Sequence, residues 1–436
     1  MSSVHLVIAA HDGITTYYTG IGTIVHNTVL ILAKHRSLLP RQCKVHLATI
    51  AIDSTGPIFD PACFDSSAEL TATTGGHLIR LCNGMDRQDT QSMWGCGQPE
   101  HWKMGAAALA SVLAATIPPD EPSVVMCHDS PFLYFQQTKH QMGFPKLHTF
   151  FFTHSTGLNH GRVIAACADQ KRIEYERTCL ESISADPDAT LCATGRWFAD
   201  HLAMEYGVTP DPRHSLHNGL FLDAYANALR TSPDALFSMY PDLADAHIIF
   251  AWGRCSRVKG FLPLIEGWTK ISMRYPRHIL VIQAPDQSGE PDYRSELLSA
   301  MDGRRECVLI DSFAPSIWQA FLRCKATEVV CIPSLADPNP HTPMEAKLFA
   351  PGSAFSIVAS RVDGIADSLL PGEAILVDDP HNPAEWASRL EEALCLPPTV
   401  RVRMAERNRS TIGNFNFEAN VLRFLDGSVI RHLNDD

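Results

Sequence analysis

VHLVIAAHDGITTYYTGIGTIVHNTVLILAK, residues 4–34, decides the fold class. Val4 to Ala10 is a short apolar run that stops at a polar, glycine-containing loop, Asp12 to Gly22. From Thr23 to Lys34, the residues Ile24, Thr28, Ile31 and Leu32 fall close to one helical face, with Thr23 placed to cap it. Strand, glycine loop and helix in that order open a doubly wound α/β domain. The same reading finds buried strands at Val45 to Ile50, Ser123 to Cys127, His148 to Thr153 and Val163 to Ala168, and a helix from Trp102 to Ile117. Ala106, Ala107, Ala110 and Ala114 let that helix pack closely on a sheet, and Pro118-Pro119 ends it.

His217-Asn218-Gly219 marks a turn, after which the chain becomes polar and alanine-rich, so an interdomain linker is expected at residues 226–245. A second series follows, with strands His247 to Ala251, His278 to Gln283, Cys307 to Ile310, Glu328 to Ile332 and Ala354 to Ala359. Helices are expected at Phe261 to Lys270, Ile317 to Cys324, Pro343 to Phe349, Trp386 to Leu396 and Phe415 to Leu425. Crossovers of this length belong to parallel sheets. The expected architecture is α/β, two Rossmann-like domains whose parallel sheets face an interdomain cleft: residues 1–225, the linker, residues 246–410, and a C-terminal helix within 411–436 packing back on the first domain.

Bulk properties bound the function. At 436 residues the chain is longer than a single core usually supports. A net charge of -12 argues against nucleic-acid binding, which needs clustered cations, but leaves room for a locally positive pocket. The 13 cysteines are scattered with no repeated C-x-x-C, which suits a reducing compartment. The first ten residues read as a strand and not an export signal, and no apolar run is long enough to span a membrane, so a cytoplasmic location is expected. A homodimer is compatible with all of this.

Several segments place chemistry-bearing residues at strand ends. Gly20-Ile21-Gly22 can bring backbone N–H groups and a helix N-terminus to a phosphate or sugar, or can simply make a tight turn; the third glycine of a dinucleotide fingerprint is missing. Gly253-Arg254 and Lys259-Gly260 follow the strand at 247; the two cations can sit where a diphosphate binds in such a sheet, or can be solvated loop cations. PSLADPNPHTPME, residues 333–345, runs from a strand end into a helix. It offers Asp337, Asn339, His341, Thr342 and Glu345 as polar contacts, with Pro343 suited to the first helical turn. Glu345 near a helix N-terminus can accept ribose hydroxyls, or can complete a capping box from Thr342. Asp363-Gly364 forms another strand-to-helix turn able to touch ligand hydroxyls. His128 and His154 both follow strands of the first half, and His154 is the stronger candidate. No H-E-x-x-H, cysteine cluster or G-x-S-x-G is present, so neither a metal nor a serine nucleophile is expected.

Together these residues resemble the retaining GT-B glycosyltransferases of the large family 4. Gly20-Ile21-Gly22 looks like that family's N-terminal glycine loop, His154 like its active-site histidine, and Arg254 with Lys259 like its diphosphate-binding pair. Asp337 and Glu345 stand at the spacing of its E-x7-E signature. The resemblance implies an acceptor-binding first domain and a donor-binding second one. It implies a nucleoside-diphosphate sugar as donor, GDP- or UDP-linked, a small-molecule acceptor, front-face displacement with retention, and no cofactor or obligatory metal. Glu345 would then bind the ribose, Arg254 and Lys259 the departing diphosphate, and His154 the transferred sugar. In character the chain looks closer to small-molecule members, such as those of bacterial antibiotic pathways, than to polymerising ones.

The chain departs from the family at Asp337 in place of Glu, Pro340 in place of Gly, and Asp363 in place of a later Gly. These changes bear on sugar geometry more than on nucleotide binding. Trp94 and Trp102, flanking Gly95-Cys96-Gly97 and His101, are candidates for an acceptor pocket or for core packing. The alternatives to transfer are a sugar-nucleotide epimerase, a phosphorylase, or a non-catalytic sugar-nucleotide sensor.

Overall fold

A computed structural model describes residues 3–434 except 18, 57, 86–98, 230–232, 234, 286–289 and 313. The chain divides into two compact units. Unit 1 comprises Met1–Asn218 and Phe417–Asp436, and unit 2 comprises Gly219–Asn416.

Unit 1 is built on a six-stranded sheet in the order β3-β2-β1-β4-β5-β6, from β1 (Val4–Ala9), β2 (Cys43–Ile50), β3 (Leu78–Leu81), β4 (Ser123–His128), β5 (Leu147–Thr153) and β6 (Ala189–Ala193). Every neighbouring pair is parallel, as in Val7 opposite both His46 and Val125. All six residues of β1 are buried, because helices cover both faces of the sheet; a near-continuous apolar run is what such a position demands. Unit 2 repeats the plan in the order β12-β11-β10-β7-β8-β9, with β7 (His247–Trp252), β8 (His278–Gln283), β9 (Cys307–Ile310), β10 (Thr327–Ile332), β11 (Ser356–Ser360) and β12 (Ile375–Val377). In each sheet the strand order reverses once, at β1/β4 and at β7/β10. The carboxyl ends of the strands at such a reversal are where open α/β sheets bind their ligands.

The first helix starts at Gly20, not Thr23, and is capped by Thr19, whose side chain accepts the Gly22 N–H. Val163 to Ala168 is not a strand. Ile164 N–H bonds back to His160 O at 2.9 Å and Cys167 N–H to Ile164 O at 2.8 Å, so the segment satisfies its backbone locally and forms a short helical turn at Ala165–Ala168. The strand expected at 354 begins at Ser356, because Ala354, at a φ of 55°, ends the preceding helix. Strands β3, β6 and β12 are short edge strands without a long apolar run.

Residues 226–245, expected as linker, lie within unit 2 and carry Leu236 and Leu243 into its core. In unit 1 the helix Phe417–Phe424 sets Phe424 edge-on against Phe150 and Phe152 of β5, with ring centroids 5.1 and 5.2 Å apart.

A buried ion pair braces unit 2. Lys347, in the helix Thr342–Ser353, lies 2.8 Å from Glu373, and neither side chain is accessible. Lys347 also donates to Ser368 O, and Glu373 accepts from Leu370 N–H and Thr411 Oγ1, so both charges are satisfied away from water.

Candidate functional site

The reversal point of the unit 2 sheet gathers most of the residues singled out by sequence. After β7 comes Gly253-Arg254, then a single turn, Arg257–Lys259, closed by Gly260 at a φ of 65°. A Cβ on Gly260 would stand 1.9 Å from Pro333 O, so only glycine lets the β7 and β10 loops touch. Leu335 N–H seals that contact by bonding Val258 O at 2.7 Å. The loop after β11 joins them. Gly364 N–H bonds Asp337 O at 3.2 Å, and Asp337 N–H bonds the Asp363 carboxylate at 2.9 Å. Gly364 leaves no room for a side chain, since its Cβ would meet Pro338 O at 2.2 Å.

Asp363 has a φ of 44°, a conformation glycine adopts freely and aspartate enters more readily than most side chains, and its carboxylate is held by Asp337 N–H. That accounts for aspartate at a position where the resembled family carries glycine. Pro340 is buried with its Cδ toward Gly364, so it fills a packing position. Asn339, His341 and Thr342 are half-buried in the same loop.

The two cations differ. Lys259 Nζ lies 2.5 Å from Asp337 Oδ2 in a partly buried ion pair. Among the described residues no hydrogen bond or ion pair engages the half-buried Arg254 guanidinium. Glu345 is 8% exposed. Its carboxylate accepts Tyr225 Oη–H at 2.9 Å and Trp252 Nε1–H at 3.3 Å. Burial pushes its pKa up to about 7, while those two donors and the Lys259 charge pull the other way. The capping box does not form: the cap position is His341 without a side-chain cap, and Thr342 Oγ1 is buried with no partner. Glu345 therefore faces an aromatic pocket, where Trp252 stacks on Trp318 at 5.8 Å and Tyr225 stands edge-on to Trp318 and Phe349.

Unit 1 gathers His11 and Asp12 after β1, His128 and Asp129 at the end of β4, and His154 and Ser155 after β5. Asp129, at a φ of 64°, accepts the N–H groups of His154 and Ser155 at 3.1 Å each and the Ser155 hydroxyl. His128 Nδ1 and His154 Nε2 are 3.1 Å apart, and the rings stack. His154 Nδ1 and His128 Nε2 are buried without partners. Burial holds His154 down to about 4, and drives His11 down and His128 well down, so the cluster is neutral near pH 7 and its imidazoles act as hydrogen-bonding groups.

At the start of the first helix, the Asp12 carboxylate ties the loop together. It accepts from Gly13 N–H, Thr16 Oγ1, Thr19 N–H and Thr19 Oγ1. A Cβ on Gly22 would sit 2.3 Å from that carboxylate, so Gly22 makes space for Asp12, whereas Gly20 is exposed. Trp102 belongs to the core, 7% exposed, with its ring 5.4 Å from Tyr175 and under the Arg172 guanidinium. His101 bonds Asn83 O and lines a cleft of about 680 Å³ with Lys103, Tyr134, Lys171 and Glu174. Trp94 and Gly95-Cys96-Gly97 lie outside the described residues.

Sequence reasoning missed His11, Asp12, Tyr225 and Trp252. His11-Asp12 was open to inference, being a polar pair at the carboxyl end of the first strand. Tyr225 reaches Glu345 across 120 residues, and no local pattern announces that.

Two six-stranded parallel sheets with helices, each doubly wound, define the GT-B fold. No family model matches the chain. It is 29% identical over 223 residues to the D-inositol 3-phosphate glycosyltransferase of Pseudarthrobacter chlorophenolicus, 50% of each chain. To the enzyme of that name from Rhodococcus opacus it is 25% identical over 225 residues, 50% of this chain and 48% of the relative. The chain spans about half the length of the curated relatives it matches. Among solved structures it is similar to sucrose-phosphate synthase from Thermosynechococcus elongatus, with a TM-score of 0.70, 18% identity and 99% of each chain covered. The E. coli trehalose-6-phosphate protein bound with UDP-2-fluoro glucose gives a TM-score of 0.70 at 14% identity over 99% of each chain. At these identities the solved structures establish the fold.

Proposed function

We propose that this chain is a retaining glycosyltransferase that moves a sugar from a GDP- or UDP-linked donor to a small polar acceptor. The observation that carries the reading is the unit 2 constellation at β7/β10, where Arg254 and Lys259 follow β7 and Glu345, buried and within reach of the Lys259 charge, lies in the helix after β10. Arg254 and Lys259 are assigned to the diphosphate, whose charge grows as the glycosidic bond breaks; preorganised cations lower that barrier without a metal. Glu345 is assigned to the ribose hydroxyls. Asp337, Asn339, His341, Thr342, Asp363 and Gly364 are assigned to the donor's sugar side, Gly20 and Gly22 to the glycine loop of unit 1, and neutral His154 to a hydroxyl of the transferred sugar. The proposed setting is the cytoplasm.

The names of the relatives shift the acceptor assignment. They are enzymes of inositol phosphate, sucrose phosphate and trehalose phosphate, which favours a phosphorylated polyol or sugar over an antibiotic-pathway acceptor.

The test is calorimetry with UDP, GDP, ADP and dTDP, followed by turnover of the matching nucleotide sugar with inositol phosphates and sugar phosphates. Glu345→Ala should weaken the best nucleotide at least tenfold, and unchanged affinity would remove the ribose assignment. Arg254→Ala should lower kcat/KM by about a hundredfold or more while weakening nucleotide binding less, as expected for a group that acts mainly on developing charge. Equal losses would contradict that role.

A further inference from the structure

Three side chains outside the site described above converge at the opposite end of the unit 2 strands. His247 opens β7 and His278 opens β8, and the two are direct partners in the parallel register. In-register residues on adjacent strands project from the same face, and the two rings stack with centroids 4.9 Å apart. On the other side of β7, strand β10 advances two residues, Thr327 to Val329, while β7 advances one, Ile248 to Ile249. Glu328 is the extra residue of this bulge, and a bulge re-aims the side chain it carries. Its carboxylate points at both imidazoles: His247 Nδ1 is 2.8 Å from Oε1, and His278 Nε2 is 3.3 Å from Oε2.

We propose that His247, His278 and Glu328 form a binding site for a divalent transition-metal ion, Zn²⁺ or an ion of similar preference. One donor atom from each residue lies within 4.8 Å of the others. Zinc–ligand bonds of about 2.0–2.2 Å set tetrahedral ligand atoms about 3.4 Å apart, a separation within that span. Two imidazoles and one carboxylate suit zinc, cobalt or nickel, whereas Mg²⁺ and Ca²⁺ seek oxygen ligands. Three protein ligands leave a fourth position for water. The Arg401 guanidinium stands 3.5 Å from Glu328 Oε2 and competes with the metal for that carboxylate. Because Arg254 and Lys259 follow the far end of β7, the ion serves to tie β7, β8 and β10 together, apart from sugar transfer.

The full chain, stripped of metal with a chelator, is titrated with ZnCl₂ by calorimetry and with CoCl₂ by visible absorption, and its Tm is followed with ZnCl₂ or MgCl₂. The expected result is one ion per chain, a cobalt spectrum without thiolate charge transfer, and a Tm raised by zinc and unmoved by magnesium. His278→Ala and the shape-preserving Glu328→Gln each weaken binding at least tenfold, and Arg401→Gln strengthens it by removing the competitor. Absence of binding, binding that survives both His278→Ala and Glu328→Gln, or a thiolate signature from the exposed Cys82 or Cys395 would overturn the proposal.

Discussion

Glu345 holds its proton to a higher pH than an ordinary carboxylate because burial costs its charged form more than Tyr225 and Trp252 return. Its pKa rises from 4.5 to about 7 on folding, so between those values the folded chain binds more protons than the unfolded one. Stability contributed by the neutral acid is fully present below the unfolded value and is lost as pH rises through about 7. Glu345→Gln, neutral at every pH, should match the natural protein near pH 4 and exceed it by up to about 3 kcal/mol at pH 8. Urea denaturation at the two pH values reads this directly, and a gain independent of pH would refute it.

Asp337 poses a different contest at the same scale. Its carboxylate neutralises Lys259, so a diphosphate bound as proposed would have to displace it and then tolerate its charge nearby. Asp337→Asn should therefore bind free nucleoside diphosphate about fivefold more tightly, near the upper range for a partly exposed pair, while slowing sugar turnover. Weaker nucleotide binding in this variant would mean that Asp337 orients Lys259 and does not compete for it.

Among the elements, the helix Thr342–Ser353 carries Glu345 near its start and Lys347 just beyond, so anchoring and site share one turn. Glu373→Ala strands the inaccessible Lys347 charge and should cost about 3–5 kcal/mol, whereas Lys347→Met with Glu373→Leu should restore most of that. A single variant within 1 kcal/mol of the natural protein, on the order of a surface pair's worth, would show that water enters the pair. The sequence announced this helix through Pro343 and the loop before it, and it announced the long buried strands through continuous apolar runs such as β1 and β8. Strands β3, β6 and β12 were hidden because a short edge strand needs few apolar residues. Val163 to Ala168 misled for the converse reason: it is apolar, but its backbone bonds close on themselves. At the candidate site, the placement of Arg254, Lys259 and His154 beyond strand ends was legible. Tyr225, and the real environment of Glu345, depend on contacts far apart in sequence.

At the scale of the whole molecule, unit 2 is one continuous segment and unit 1 is made of two. Residues 219–416 expressed alone should fold and bind the preferred nucleoside diphosphate within about tenfold of the full chain, since domains with their own core fold as units. Loss of all affinity in a folded fragment would show that unit 2 does not carry the nucleotide site by itself.

The helix Phe417–Phe424, with Phe424 against Phe150 and Phe152, is made after all of unit 2. On the ribosome, domains usually mature in the order of their synthesis. Here the order would invert: the first sheet would wait with part of β5 uncovered until the late helix is made. A nascent chain stalled anywhere between 219 and 416 would present that aromatic face to chaperones, and a frameshift near residue 417 would damage the half of the protein that was translated first.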